Sequence, residues 1–227
     1  MKDTGISLNK IIWLILFSIA MGYLEAAVVV YLREIYYPDG FSFPLVPISA
    51  RDIVVELGRE ASTLIMLLGI GILSGRTKAQ RFAFFLMAFG IWDIFYYLFL
   101  KMLVGWPASL STWDILFLIP IPWVGPVWAP CLLSLTMIFL AVVILKQEQK
   151  HKVLPFHWHS WMWWLAGSLI VIFSFCDDTM RHLASFQAGS HSLYLPTHYS
   201  WWLFVLGEVI ILYGILRLFR FRGQKQE

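Results

Sequence analysis

Charged residues are scarce in this chain. Only 14% of its 227 residues are Asp, Glu, Lys or Arg, whereas 59% are hydrophobic. Soluble domains carry about 25% charged and roughly 45–50% apolar residues. Because so few charges cannot cover a surface that faces water, the composition excludes an ordinary soluble enzyme, a nucleic-acid binder and a disordered scaffold. We therefore expect a membrane protein, with the lipid bilayer as its main partner.

The residues that mark several familiar catalytic sites are also missing. The sequence has no CxxC, GxSxG or HExxH motif, and all six histidines fall outside the long hydrophobic runs. These absences argue against dithiol redox chemistry, a serine hydrolase, a zinc protease helix and a haem held between helices. The two cysteines, Cys131 and Cys176, are expected near the same end of their helices, where a disulfide is geometrically allowed.

Long apolar runs dominate what is present. A helix that crosses a membrane needs about 20 mainly apolar residues, and the sequence contains six such runs. We predict an all-α bundle of six transmembrane helices that forms a single domain over residues 1–227, with no internal repeat. The predicted helices are 11–32, 52–74, 82–104, 127–146, 160–177 and 200–219.

Basic residues predict the orientation of this bundle. Twelve of the 17 fall on one side of a six-helix arrangement, near both termini and in the connections after helices 2 and 4. Short basic segments stay cytoplasmic, so we expect both termini inside the cell. The small size and the lack of other targeting signals favour a prokaryotic plasma membrane.

The segment between helices 3 and 4 is apolar but interrupted by prolines at 107, 120, 122 and 126. It is too short between prolines to cross a bilayer. We predict a short interfacial or re-entrant helix over 110–119 that covers the outer end of the bundle. The alternative is a plain amphipathic helix on the membrane surface.

Acidic residues converge at one depth. With a rise of about 1.5 Å per residue, Glu25 lies roughly 22 Å above the inner boundary, and Glu60, Asp93 and Glu208 each lie about 18 Å above it. Carboxylates inside a bilayer are costly and are therefore functional candidates by default. Four of them on four helices predict a shared site in the outer half of the membrane.

Helical spacing adds neighbours to this predicted site. Glu56, Arg59 and Glu60 share one helix face, and Tyr97 lies four residues after Asp93. The predicted catalytic set is Glu25, Glu56, Arg59, Glu60, Asp93, Tyr97 and Glu208. Two alternatives remain: Arg59 with its acids forms only a structural ion pair, or Glu25 and Glu208 are protonated and hydrogen-bonded between helices.

The same acids are candidate ligands for a divalent metal. Carboxylates with one histidine suit a hard or borderline cation, and His182 follows helix 5 at the outer membrane face. We therefore predict Glu60, Asp93, Asp177 and His182 as metal ligands, with a divalent metal as the candidate cofactor. The spacing matches no established metal motif, so this prediction rests on depth and residue type.

Three functions are compatible with a buried acidic site. The first is a metal-dependent or acid–base enzyme that acts on a lipid or lipid-linked substrate at the outer leaflet. The second is a proton- or cation-coupled transporter or channel, in which the acids bind a small cation. The third is a non-catalytic subunit of a membrane assembly. An apolar inner half favours the first, because transport needs polar groups along the whole path.

Overall fold

The computed structural model describes residues 7–43, 46, 49–119, 121–151, 158–187, 196 and 198–220. These residues form six helices and one two-stranded sheet. In chain order the elements are α1 (Leu8–Tyr36), α2 (Ala50–Ser74), α3 (Lys78–Val104), β1 (Trp113–Phe117), β2 (Trp123–Pro126), α4 (Trp128–His151), α5 (Trp158–Gln187) and α6 (Trp201–Arg220).

The predicted helices are all present, and the largest difference is at α5, which continues ten residues past its predicted end at 177. Within the described residues, three helices are long and apolar enough to cross a bilayer: Leu8–Tyr36, Lys78–Val104 and Trp128–Gln149. This finding supports a membrane protein. The terminal residues 1–6 and 221–227, used to predict the orientation, lie outside the described part of the chain.

Local sequence signals set several helix ends. The Ser49 hydroxyl accepts the backbone N–H of Asp52 at 3.2 Å, and the Thr77 hydroxyl accepts that of Gln80 at 3.1 Å. Each hydroxyl thus satisfies an N–H that has no partner within its helix. At the other end of α3, Gly105 takes a left-handed conformation with φ of 69°, which glycine adopts without steric cost.

Helix α3 lies at the centre of the fold and packs against α1, α2 and α4. Two glycines allow this close packing. A Cβ at Gly22 of α1 would lie 2.8 Å from the carbonyl oxygen of Trp92, and a Cβ at Gly90 would lie 2.7 Å from that of Ser134. Helices α5 and α6 pack against each other, and α6 also contacts α4.

The prediction of a short helix over 110–119 is wrong. Strands β1 and β2 pair antiparallel in a hairpin, with Asp114 opposite Gly125 and a register irregularity between Ile115 and Phe117. The prolines prevent a continuous helix. Pairing of two short strands gives hydrogen-bond partners to backbone N–H and C=O groups that would have none in a single extended segment. We call the side of the bundle that carries this hairpin the hairpin end.

The two cysteines do not form a disulfide. Cys131 and Cys176 are both free thiols, with Cys176 buried and Cys131 partly buried. They lie on α4 and α5, which are separate helices. Their role in the structure is therefore that of small, largely apolar side chains.

Candidate functional site

A cavity of about 140 Å³ lies at the hairpin end between α1, α2, α3 and β1. Six of the seven predicted catalytic residues line it, and Glu208 does not. Its polar and aromatic lining consists of Glu25, Arg33, Tyr36, Tyr37, Phe41, Glu56, Arg59, Glu60, Trp92, Asp93, Tyr96, Tyr97 and Asp114. The predicted convergence of carboxylates is thus present on three helices, and the hairpin adds a further one.

Arg59 connects two carboxylates across the edge of the cavity. Its Nε donates to Glu56 at 2.7 Å, and its Nη1 donates to Glu25 on the neighbouring helix. The hydroxyl of Thr63 donates to the other Glu25 oxygen at 3.2 Å. The Arg59 side chain is 21% exposed and that of Glu25 is 12% exposed, so this edge is accessible from outside the bundle.

Glu60 joins α2 to the hairpin. The backbone N–H of Leu118, directly after β1, donates to both Glu60 carboxylate oxygens at 3.0 Å. The residue is only 4% exposed. A carboxyl group accepts this N–H whether or not it is ionised, so the contact determines the position of Glu60 and not its charge.

Asp93 has a different environment. It is buried on α3, and one of its oxygens accepts the hydroxyl of Ser134 on α4 at 2.8 Å. The mid-helix Trp92 lies beside it in the sequence and also lines the cavity. Two carboxylates of the same cavity, Glu60 and Asp93, therefore have different hydrogen-bond donors.

Arg33 and Asp114 form an ion pair that the sequence interpretation did not identify. Arg33 Nη2 donates to Asp114 Oδ1 at 3.3 Å, and the guanidinium carbon lies 3.7 Å from the ring centre of Trp106 and 4.4 Å from that of Phe41. Burial raises the pKa of Asp114 to about 6, and the positive charge of Arg33 opposes this shift. The sequence contains one signal that points to this ion pair: Arg33 is a basic residue outside the predicted cytoplasmic segments.

Several polar atoms of the cavity have no hydrogen-bond partner among the described residues. They are Arg33 Nη1, Trp92 Nε1, Tyr97 Oη and Asp114 Oδ2, although the Tyr97 hydroxyl lies close enough to the Asp114 carboxyl to oppose the rise of its pKa. All four residues line the same cavity. Buried polar groups in proteins are nearly always paired with protein or with bound molecules, so this cavity is suited to a polar ligand.

Glu208 lies in a different place. Its carboxylate accepts the hydroxyl of Thr136 at 2.7 Å, which connects α6 to α4. Its second oxygen is buried without a hydrogen-bond partner in the described part of the chain. The depth predicted from the sequence does not bring Glu208 to the cavity, because α4 separates α6 from α3.

The four predicted metal ligands are divided between two regions. Glu60 and Asp93 line the cavity, whereas Asp177 accepts hydrogen bonds from Ser200 at 2.5 Å and from Arg181 at 3.0 Å. His182 Nδ1 lies 2.8 Å from the carbonyl oxygen of Asp178. Among the residues that the structure describes, no group of three or more His, Cys, Asp or Glu side chains is arranged to hold a metal ion.

The cavity carries more acidic than basic groups. Five carboxyl groups and two guanidinium groups line it, so its formal charge is −3 if every group is ionised. Burying an ionised carboxylate in a low-dielectric interior costs free energy. That cost is lower when the carboxylate binds a proton or accepts hydrogen bonds from a neighbouring donor. The arrangement can therefore exchange protons with a bound molecule.

Comparison of the chain with known protein families, with curated proteins and with solved structures finds no match.

Proposed function

We propose that this protein is a membrane enzyme that uses carboxylates for acid–base chemistry on a lipid or lipid-linked substrate. The supporting observation is that Glu60 and Asp93 line one cavity in different surroundings. Carboxylates whose surroundings differ can take different roles in one reaction. In the proposed reaction Glu60, which accepts a backbone N–H, is the general base, and Asp93 is the general acid.

The position of the cavity supports a substrate that enters from the bilayer. Helices α1 and α2 each pack along α3, but their backbones approach each other at few points. The partly exposed Arg59 and Glu25 lie at this gap. On the same two helices Leu24 and Val55 are 60% and 59% exposed, as expected for side chains in contact with lipid tails.

The proposal includes the membrane arrangement. All six helices cross a prokaryotic plasma membrane, both termini are cytoplasmic, and the hairpin end faces the outer leaflet. This orientation follows from the basic connections on the opposite side. A headgroup in the outer leaflet would then lie level with the cavity.

Transport is a weaker alternative because the core beside the cavity, on the side away from the hairpin, is mostly apolar, whereas buried polar side chains such as Gln80 and Glu148 lie near helix ends. Leu14, Leu67 and Phe84 are fully buried there and belong to the hydrophobic core. A path for ions through the membrane would need polar groups along its length. A non-catalytic subunit would have no need for unpartnered polar atoms in a cavity.

The test uses purified protein in vesicles made from lipids of source cells that lack this protein, so that an unconverted substrate is present. Lipids are analysed by mass spectrometry before and after incubation. We expect one lipid component to change with the wild-type protein, and about 100-fold or greater loss of the rate with Glu60→Gln or Asp93→Asn.

Glu34→Gln is the matched control, because Glu34 is an exposed carboxylate on α1. Equal rates in Asp93→Asn and wild-type protein would overturn the assigned role of Asp93. Unchanged lipids together with proton or cation flux across the vesicles would replace the enzyme with a transporter. Unchanged lipids without flux would favour the assembly role.

A further inference from the structure

Two carboxyl groups of the cavity have no cation of their own. Both guanidinium groups are already engaged, because Arg33 pairs with Asp114 and Arg59 is shared by two glutamates of α1 and α2. Glu60 and Asp93 line the same cavity and form no ion pair with any residue that the structure describes. A buried ionised carboxylate is costly without a positive partner, so the cavity favours a ligand that brings a positive charge.

One oxygen of Asp93 is free to bind such a ligand. Asp93 is only 8% exposed, and its Oδ2 accepts the hydroxyl of Ser134. Its Oδ1 has no hydrogen-bond partner in the described part of the chain, and it retains surface that a water-sized molecule can reach. Because a carboxyl oxygen accepts a hydrogen bond whether or not the group is ionised, Oδ1 can accept an N–H group of a ligand in the cavity.

The walls of the cavity favour an organic cation. Tyr36, Trp92 and Tyr96 contribute aromatic rings beside the carboxyl groups. The face of an aromatic ring carries a negative potential and attracts an ammonium or guanidinium group. The cavity already contains one contact of this kind, since the guanidinium carbon of Arg33 lies 4.4 Å from the ring centre of Phe41.

A bare metal ion matches the cavity less well than an organic cation. A metal ion needs several ligands around one point, and in the described residues no three His, Cys, Asp or Glu side chains are arranged in that way. A primary ammonium needs only acceptors for its three N–H groups. The cavity volume of about 140 Å³ is below the roughly 300–1,000 Å³ of sites for drug-sized molecules, so it suits a small headgroup.

We propose that the cavity binds a primary ammonium group, such as that of an aminophospholipid headgroup, with Asp93 Oδ1 as a hydrogen-bond acceptor and Glu60 as a source of negative charge. This assignment names the substrate class of the same site and, as a statement about the substrate, rests on the proposed function. A soluble amine has the same chemistry as the amine of a lipid headgroup. The experiment therefore separates the two sources.

The experiment measures binding by native mass spectrometry of the full chain. The protein is purified in dodecyl maltoside, because a detergent without charge does not compete with an ammonium group. The probes are phosphatidylethanolamine, N-acetyl phosphatidylethanolamine and soluble ethanolamine. Acetylation keeps the phosphate and the tails but removes the positive charge. We expect phosphatidylethanolamine to bind at least about tenfold more tightly than its acetylated form, which cannot make the charge-assisted hydrogen bond.

Two variants connect this binding to the cavity. Glu60→Gln removes a negative charge and Asp93→Leu removes an acceptor, and we expect each to weaken binding of phosphatidylethanolamine about tenfold. Glu208→Gln and Glu208→Leu are the matched controls. The Glu208 carboxyl group, like that of Asp93, accepts a hydroxyl of α4, but it does not line the cavity. We expect both control variants to bind like wild-type protein.

Equal binding of the two lipids to wild-type protein, or unchanged binding in either cavity variant, would overturn the assignment. Binding of ethanolamine alone, with the same dependence on Glu60 and Asp93, would support the ammonium site and identify a soluble amine as its ligand. Phosphatidylethanolamine that binds without conversion would remove the proposed enzyme and leave the binding site. Conversion of a lipid that lacks an amine, without binding of either amine, would do the reverse.

Discussion

The backbone N–H of Leu118 donates to both carboxylate oxygens of Glu60 at 3.0 Å. This interaction joins a buried acid of α2 to the residue that follows β1. The hairpin covers the cavity and also contributes Asp114 to it. The position of the hairpin and the hydrogen bonding of Glu60 are therefore coupled.

Replacement of Glu60 should separate the role of its charge from the role of its hydrogen bond. Glu60→Gln keeps an acceptor oxygen for Leu118, whereas Glu60→Ala leaves this N–H without its partner, at a cost of about 1–3 kcal/mol. We expect faster hydrogen exchange of residues 113–118 in Glu60→Ala and near wild-type exchange in Glu60→Gln. Wild-type protection in Glu60→Ala would show that the hairpin is held by other contacts. Glu34→Ala serves as the control.

Removal of Arg59 should destabilise the protein because Glu25 and Glu56 lose their shared cation. Loss of one partner from a buried ion pair costs about 3–5 kcal/mol, and the partial exposure of Arg59 favours the lower end of that range. We expect a lower thermal unfolding temperature for Arg59→Gln in detergent. Adding Glu25→Gln should restore part of the loss, because it removes one unpaired charge. A double variant no more stable than Arg59→Gln would contradict this account.

Asp114 should make stability depend on pH. Its pKa rises from an ordinary value of 3.8 to about 6, with burial as the main cause. Between these values the folded protein retains a proton that the unfolded chain has released. The free energy of unfolding therefore falls as pH rises through this window, by about 3 kcal/mol at most.

The measurement is the unfolding temperature of wild-type protein relative to Asp114→Asn from pH 4 to pH 7.5. We expect the wild-type value, relative to the variant, to be highest near pH 4 and to level off above pH 6. The Asn side chain does not titrate, so it provides the baseline. A difference that stays constant across this range would show that Asp114 keeps its ordinary pKa.

Cysteine labelling should report the orientation of the bundle. Ser111 lies next to the hairpin and is exposed, and Gln149 is exposed near the opposite end of α4. We expect a membrane-impermeant maleimide to label Ser111→Cys in intact cells, and to label Gln149→Cys only after permeabilisation. The wild-type chain controls for Cys131 and Cys176. The reverse pattern would place the hairpin end in the cytoplasm.

The helices and much of the cavity could be predicted from the sequence because hydrophobic length and helical spacing are local properties. The spacing of Glu56, Arg59 and Glu60 predicts one shared face, and all three line the cavity. The predicted depths rest on the nearly constant rise per residue of a helix. The sequence of one helix does not predict which of its faces points towards a helix that is distant in the chain. For that reason the sequence predicts Glu208 at the shared site, whereas the structure places it between α6 and α4.

Two features of the site depend on contacts that local patterns do not encode. Arg33 and Asp114 are 81 positions apart in the chain, and neither residue has a neighbour in sequence that signals the other. The sequence predicts a helix over 110–119 because a short apolar segment fits both a helix and a strand. The strand forms because residues 113–117 pair with residues 123–126. The two strands are joined by a connection that contains proline, and a local pattern does not predict their pairing. Asp114 is therefore not part of the predicted site.

The absence of a side chain at Gly22 has a consequence for the cavity. Trp92 contacts this position through its backbone oxygen, 2.8 Å from where a Cβ would lie, and contributes its indole to the cavity. The separation of α1 and α3 and the position of this indole are thus determined at the same residue. A methyl group at position 22 would push α1 and α3 apart. The shape of the cavity is therefore adjustable from a residue that does not line it.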